Sequence, residues 1–405
     1  MPQERKRLLS VLLVILSTLG FLIGMGVIGN LLANENQLHG DAFNPISDLE
    51  KYSEYTIGFL ALTICTINAF TLVVSIRYLR NKNLRPLGYV KSAVIYAVMV
   101  LWFISLGLGY VASQSQRQYL LLGFVTTLSI WLPIWLLVNI ARSGLLRSTR
   151  LRELGALTLG LTLSPVLIII FETIFLYLFA ILIFMYLGIR NPLSQQLLQL
   201  VNSMANSSGG LEGLGLLFFD LQKEPLILFA VFLILCVIVP LIEEILKPVA
   251  IWFLLKRPLH DHEGYALGLI SGGAFALLES AGLAIQMNPA VWLRIVTLRA
   301  TTGVLHIGLS GIVGFGLVRS KNRKEPLGII LFILSAAGLH GAWNFLSLYS
   351  GLSAIPAIEN GVRSVPNMGI IISITLMVVL FISVIIFNFF INRFIRRNNP
   401  GRRSL

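Results

Sequence analysis

Charged side chains are scarce in this 405-residue chain, at 12% where a soluble domain carries about 25%. Acids are scarcer than bases, with 18 Asp and Glu against 31 Lys and Arg. So little charge excludes a water-soluble enzyme and a disordered tail protein, both of which need a well-solvated surface. Cysteine is nearly missing: Cys65 and Cys236 both lie inside apolar runs, which excludes a disulfide framework and a CxxC zinc site. What the chain has in plenty is hydrophobic sequence, 56% of its residues, laid out in long runs. That composition belongs to a membrane protein.

A membrane span needs roughly 20 mainly apolar residues. Runs that qualify lie at 8–32, 55–76, 92–113, 119–141, 154–189, 225–255, 265–286, 293–318, 327–349 and 368–391, which predicts an all-α polytopic protein of about ten helices. The first run follows Arg5, Lys6 and Arg7 but lacks a clear cleavage site, so it reads as a retained anchor. The fifth is long enough to tilt or to break at Pro165. With both termini cytoplasmic, 23 of the 31 Lys and Arg fall on the cytoplasmic side, five outside and three within spans. The +13 net charge is therefore a topology signal and does not point to nucleic acid. Residues 191–224 form the longest polar interruption, separating a five-span N-terminal region (1–190) from a second membrane region (225–391) that ends in a basic tail (392–405).

Ionisable residues inside spans are costly, at roughly 2.5–3.5 kcal/mol each for Asp, Lys or Arg at a helix centre. The second region nevertheless holds Glu243, Glu244, Lys247, Glu279, Arg299, His306 and His340 within its spans. Measured from the span midpoints at 1.5 Å per residue, Glu243 and Glu244 lie roughly 5 Å to one side of the middle and Glu279 roughly 5 Å to the other. By the same measure His306 sits near the middle and His340 roughly 3 Å outward. Polar groups from four spans thus share one shallow layer, which predicts a common site.

Helical spacing says which of them can meet. Lys247 is i+4 from Glu243 and i+3 from Glu244, so its ammonium can reach either carboxylate. Two adjacent carboxylates in a low dielectric do not both ionise freely, so the pair offers one proton acceptor and one possible acid. Pro248 removes the donor for the Glu244 carbonyl and predicts a kink there. Phe275 and Glu279 are i,i+4, and the preceding Ser271-Gly272-Gly273-Ala274 permits close helix approach. Thr302, His306 and Ser310 form one stripe, with Arg299 two turns before the histidine. His340 and Asn344 share a face, where Asn344 can orient the imidazole or donate to an oxyanion.

In order along the chain, Glu243-Glu244-Ile245-Leu246-Lys247 resembles the EExxK motif of the PrsW family of intramembrane proteases. Phe275-Ala-Leu-Leu-Glu279 is similar to its FxxxE motif, and His306 and His340 match the histidines of its next two spans. The related CAAX-protease and bacteriocin-processing family usually has EExxxR and FxxxH, so Lys247 and Glu279 favour PrsW. The resemblance implies an endopeptidase of the bacterial plasma membrane acting on membrane-protein or lipid-embedded peptide substrates. It implies Glu243, Glu244, Glu279, His306, His340 and Asn344 as the catalytic set, supported by Lys247, Arg299, Phe275 and Ser310. The mechanism it suggests is water activated by a glutamate without a cofactor, with zinc as the alternative. Competing readings of the same residues are a non-catalytic scaffold and a proton-coupled transporter; the absence of an internal repeat between the two halves counts against the transporter.

Overall fold

A computed structural model of the chain describes residues 3–33, 48–80, 88, 90–115, 118–190, 225–286, 289–359 and 368–398. The polar segment 191–224 and residues 399–405 of the basic tail lie outside the described residues. Among the described residues all regular structure is helical: α1 (Gln3–Ala33), α2 (Asp48–Leu79), α3 (Ser92–Ser113), α4 (Tyr119–Ala141), α5 (Arg150–Leu161), α6 (Leu163–Arg190) and α7 (Pro225–Leu233). There follow α8 (Val239–Leu246), α9 (Val249–Leu254), α10 (Asp261–Ile285), α11 (Trp292–Arg323), α12 (Pro326–Glu359) and α13 (Met368–Arg397). These supply ten spans long and apolar enough to cross a membrane, in the order expected. The chain is an integral, multi-pass, all-α membrane protein.

Prolines place the interruptions. Pro165 cannot donate to the Leu161 carbonyl, and the fifth span breaks between α5 and α6 at Thr162, whose amide and hydroxyl both donate to Thr158 O, at 2.9 and 2.7 Å. Pro248 likewise ends α8 and opens α9. That break strands three carbonyls, and each finds a side chain. Trp252 Nε1 donates to Ile245 O at 2.8 Å, Ser164 Oγ to Leu246 O at 3.1 Å, and Ser271 Oγ to Lys247 O. In a membrane no water is at hand to do this, so the break persists because protein donors satisfy it.

The chain divides into two compact units. The larger comprises Met1–Pro165, Glu244–Ala336 and Val378–Leu405. Its centre is the pair α10 and α11, with 94% of the α11 apolar window buried, against 11% of the α13 window, whose Ile, Val and Phe side chains face outward. Small residues let the two central helices touch backbone to backbone. A β-carbon on Gly268 would lie 2.2 Å from Ser310 O, and one on Gly272 only 2.4 Å from His306 O. The expected close approach is therefore real, and it sets the distance between α10 and the His306 turn.

At one end of this unit the basic segments gather. Arg152 and Ser148 both donate to Glu263 Oε1 at the start of α10, and Asn392 Nδ2 donates to Ala141 O and Ser143 O. Lys321 reaches the carbonyls of Leu255 and Arg257. The segments around 142–152, 256–257 and 319–324, together with Asn392 near the end of α13, thus share one end, as alternating spans require.

The smaller unit comprises Val166–Glu243 and Ala337–Met377. Within it Phe232 of α7 packs on Phe345 of α12, ring centroids 5.1 Å apart. A π-helical turn, Ile234–Ile238, separates α7 from α8 and had no signal in the apolar pattern.

Candidate active site

In the larger unit the site begins at the break after α8. Glu244 and Lys247 are both fully buried, and Lys247 Nζ donates to Glu244 Oε1 at 2.8 Å, the i,i+3 pairing that the spacing allows. The same ammonium lies 2.8 Å from His306 Nδ1 on α11 and 4.7 Å from the centroid of the Phe275 ring on α10. An ammonium has only donors, so Nδ1 is an acceptor and the imidazole proton sits on Nε2. That nitrogen is 2.6 Å from Glu279 Oε2. Glu279 also faces Arg299, whose Nη2 is 2.8 Å from the same oxygen and whose Nε donates to Ser280 Oγ at 3.2 Å.

The result is a chain of contacts in which the neutral imidazole of His306 joins two ion pairs, Glu244–Lys247 and Glu279–Arg299. Each link comes from a position that helical spacing presents. Phe275 and Glu279 are one turn apart on α10, and the ring meets His306 edge-on at 5.4 Å while the carboxylate meets its far nitrogen. Phe275 therefore holds two members at once, the Lys247 cation by its face and the imidazole by its edge. Ser310, fully buried one turn beyond His306, packs against Gly272, whose β-carbon would lie 2.8 Å from its hydroxyl oxygen. Thr302, also buried, turns its hydroxyl back to Leu298 O at 3.1 Å.

In the smaller unit Glu243 and His340 are both buried, with His340 Nδ1 3.8 Å from Glu243 Oε2. Asn344, one turn on, does not face an open position. Its Nδ2 donates to Leu235 O at 2.9 Å. The π-helical turn explains why. Val239 N–H donates to Ile234 O, and the next residue is Pro240, which has no N–H, so the Leu235 carbonyl depends on a side chain from outside the helix. Gly341 lies against the neighbouring carbonyl, where a β-carbon would be 2.0 Å from Cys236 O.

Two contributors escape a reading of charges alone. Ser271 closes the Lys247 carbonyl, and Ser280 receives Arg299. Ser271 carries a signal after the fact: it is i−4 from Phe275 and i−8 from Glu279, and so lies on the face of α10 that makes the site.

Carboxylates and imidazoles gathered inside membrane-spanning helices define a class: a polytopic membrane protein with a cluster of ionisable side chains within its spans. Comparison with protein families narrows it. Residues 200–386 match the family model described as PrsW family intramembrane metalloprotease. The match takes in every residue of the candidate site, and it extends through most of α13. It supports a membrane-protease, and hence hydrolase, role. No curated protein and no solved structure matches the chain.

Proposed function

We propose that the chain is an intramembrane endopeptidase that hydrolyses peptide bonds in membrane-embedded or membrane-adjacent segments of other proteins. Glu244, His306 and Glu279 stand at its centre. The observation that carries this reading is the single cation held by Glu244 Oε1 and His306 Nδ1, at 2.8 Å from each. A carboxylate and an imidazole aimed at one point inside a span have no anchoring purpose. Glu243 is the chain neighbour of Glu244 on α8, and within its own unit it is paired with His340. We read the basic end of the larger unit as cytoplasmic, with both termini on that side.

A divalent metal such as zinc fits these donors. Glu244 and His306 already converge on one positive charge, and Glu243 and His340 are buried donors of the same two kinds. Glu244 and His306 would hold it, at the point where they now meet the Lys247 ammonium. When bound, it would polarise the scissile carbonyl and ready a water for attack.

The chain's own groups do the rest. Glu279 accepts the Nε2 proton of His306, which fixes the tautomer and leaves the Nδ1 lone pair directed at the Lys247 ammonium that Glu244 shares. Arg299 keeps Glu279 in place from the other side. Lys247 balances the charge of Glu244, and Phe275 holds that ammonium from below. The carboxylate that does not serve as a ligand takes the proton of the attacking water and returns it to the leaving amide nitrogen. Asn344 stays on the Leu235 carbonyl, so stabilisation of the oxyanion falls to His340.

The test uses purified full-length chain with a fluorogenic peptide pool drawn from transmembrane and juxtamembrane sequences. Wild type is expected to cleave, and folded Glu244→Gln to lose roughly 10²–10⁴-fold, the usual value of an acid/base group. A zinc chelator is expected to stop cleavage and added zinc to restore it. Undiminished cleavage by Glu244→Gln overturns the reading. Cleavage that needs Glu244 but ignores the chelator keeps the hydrolase and puts glutamate-activated water in place of the metal.

A further inference from the structure

A second group of buried charge lies at the basic end of the larger unit, where α4 passes into α5, and the proposed chemistry makes no use of it. Arg142 Nη1 donates to Glu153 Oε2 at 3.0 Å, and Arg147 Nη1 lies 3.4 Å from the same oxygen. Their other nitrogens, Arg142 Nη2 and Arg147 Nη2, share Asn139 Oδ1 at 3.0 and 3.2 Å. Two guanidiniums thus share one carboxylate, which leaves one positive charge uncompensated. Two polar atoms of the group are buried and have no hydrogen-bond partner among the described residues: the donor Arg142 Nε and the acceptor Glu153 Oε1.

The group stands on the wall between two cavities, both of which are lined by Asn139, Arg142 and Glu153. One, of about 230 Å³, is polar and includes Arg147 and the turn Ser143–Gly144. The other, of about 190 Å³, runs along the membrane-spanning part. Its mouth is formed by the half-buried Ile67, Trp131, Trp135 and Leu157, and its floor by Ile270 and Ala274 of α10. A group with one excess positive charge at a helix end therefore continues into an apolar cleft within the span.

We infer that this is a binding site for one anionic phospholipid, its phosphodiester at Arg142 and Arg147 and part of an acyl chain in the cleft. Each feature of the site matches one feature of that ligand. A phosphodiester carries a single negative charge, which balances the excess of one, and its oxygens accept from Arg142 Nε. A headgroup hydroxyl, as in phosphatidylglycerol, donates to Glu153 Oε1. Arginine is also the side chain best suited to phosphate at a low-dielectric boundary. The apolar cleft requires a ligand with a hydrocarbon chain, which a free phosphate lacks. Ala274 neighbours Phe275 and belongs to the same helix as Glu279, so the lipid would rest on the opposite side of the helix that carries the proposed site.

The inference stands whether or not the chain cleaves peptides, and its test reads binding. Full-length chain is stripped of lipid in detergent and re-supplied with phosphatidylglycerol, phosphatidylcholine or glycerol 3-phosphate. Retained lipid is counted by native mass spectrometry, and the thermal midpoint is followed alongside. One phosphatidylglycerol per chain is expected at concentrations where phosphatidylcholine is lost. Arg147→Gln is expected to weaken its retention about tenfold, the size of a lost charge-assisted hydrogen bond. Leu157→Trp, which fills the mouth of the cleft and leaves every charge in place, is expected to abolish retention. Equal retention of phosphatidylcholine overturns the inference, and so does undiminished retention by the folded Leu157→Trp chain. An equal thermal shift with glycerol 3-phosphate also overturns it by reducing the site to a phosphate site.

Discussion

The two groups of buried charge in the larger unit use the same kinds of side chain and differ in how their charge is balanced. Around His306 two carboxylates, Glu244 and Glu279, meet two fixed cations, Lys247 and Arg299, and both imidazole nitrogens are engaged. At the α4–α5 end one carboxylate, Glu153, serves two arginines. The first group sits mid-span, where an unpaired buried ion costs several kcal/mol. The second sits at helix ends, where long basic side chains reach toward the water–lipid boundary. A site deep in a membrane must bring its own counter-ions, whereas one at the boundary can leave a charge for a ligand.

The sharpest test of that difference removes a cation from the balanced group. Lys247→Met leaves Glu244 and His306 facing each other without the ammonium that joins them. The expected loss is about 3–5 kcal/mol of stability, the cost of breaking a buried pair, seen as a large drop in thermal midpoint in detergent. An unchanged midpoint would mean that the group is not electrically coupled. Gly272→Ala probes the same group without touching a charge. Its new methyl would meet His306 O, so about 1–3 kcal/mol of overpacking strain and a displaced His306 turn are expected. The checking measurement pairs the thermal midpoint with cleavage rate, and the rate is expected to fall further than stability alone explains.

Asn344→Leu moves the comparison to the smaller unit. If Asn344 serves the Leu235 carbonyl, its loss leaves a backbone acceptor within a membrane span without a donor and costs about 1–3 kcal/mol, with cleavage falling only as far as the folded fraction falls. A large rate loss in a fully folded variant would instead return Asn344 to the oxyanion role that its spacing from His340 suggests.

Most of the fold was legible because membrane spans are dictated by length and hydropathy, and the breaks at Pro165 and Pro248 by a missing N–H. The charged members of the site were legible for a related reason: charge inside a span is too costly to be incidental, so Glu243, Glu244, Lys247, Glu279, Arg299, His306 and His340 stood out. What stayed hidden depends on partners distant in sequence. Ser271 looks like one small residue in a glycine-rich stretch until the carbonyl stranded before Pro248 is seen to need it. Asn344 looks like a site amide until the π-helical turn deprives Leu235 of its donor. Arg142 and Arg147 read as ordinary positive-inside charges, since their position at the span end explains them without any ligand.

The smallest expected effect completes the comparison. Arg147→Gln removes one of two guanidiniums from Glu153 and leaves the shorter pair, Arg142 to Glu153 at 3.0 Å, intact. Arg147 is only partly buried and sits where water is close, so its ion pair contributes little to the fold, about 0–1 kcal/mol. Without lipid the midpoint is therefore expected to stay within a degree or two of wild type. Removing the excess charge can even ease the repulsion between the two arginines. If Arg147→Gln cost as much as Lys247→Met, the boundary group would be as tightly balanced as the mid-span one. The charge left over at the boundary would then be structural, with no ligand needed to answer it.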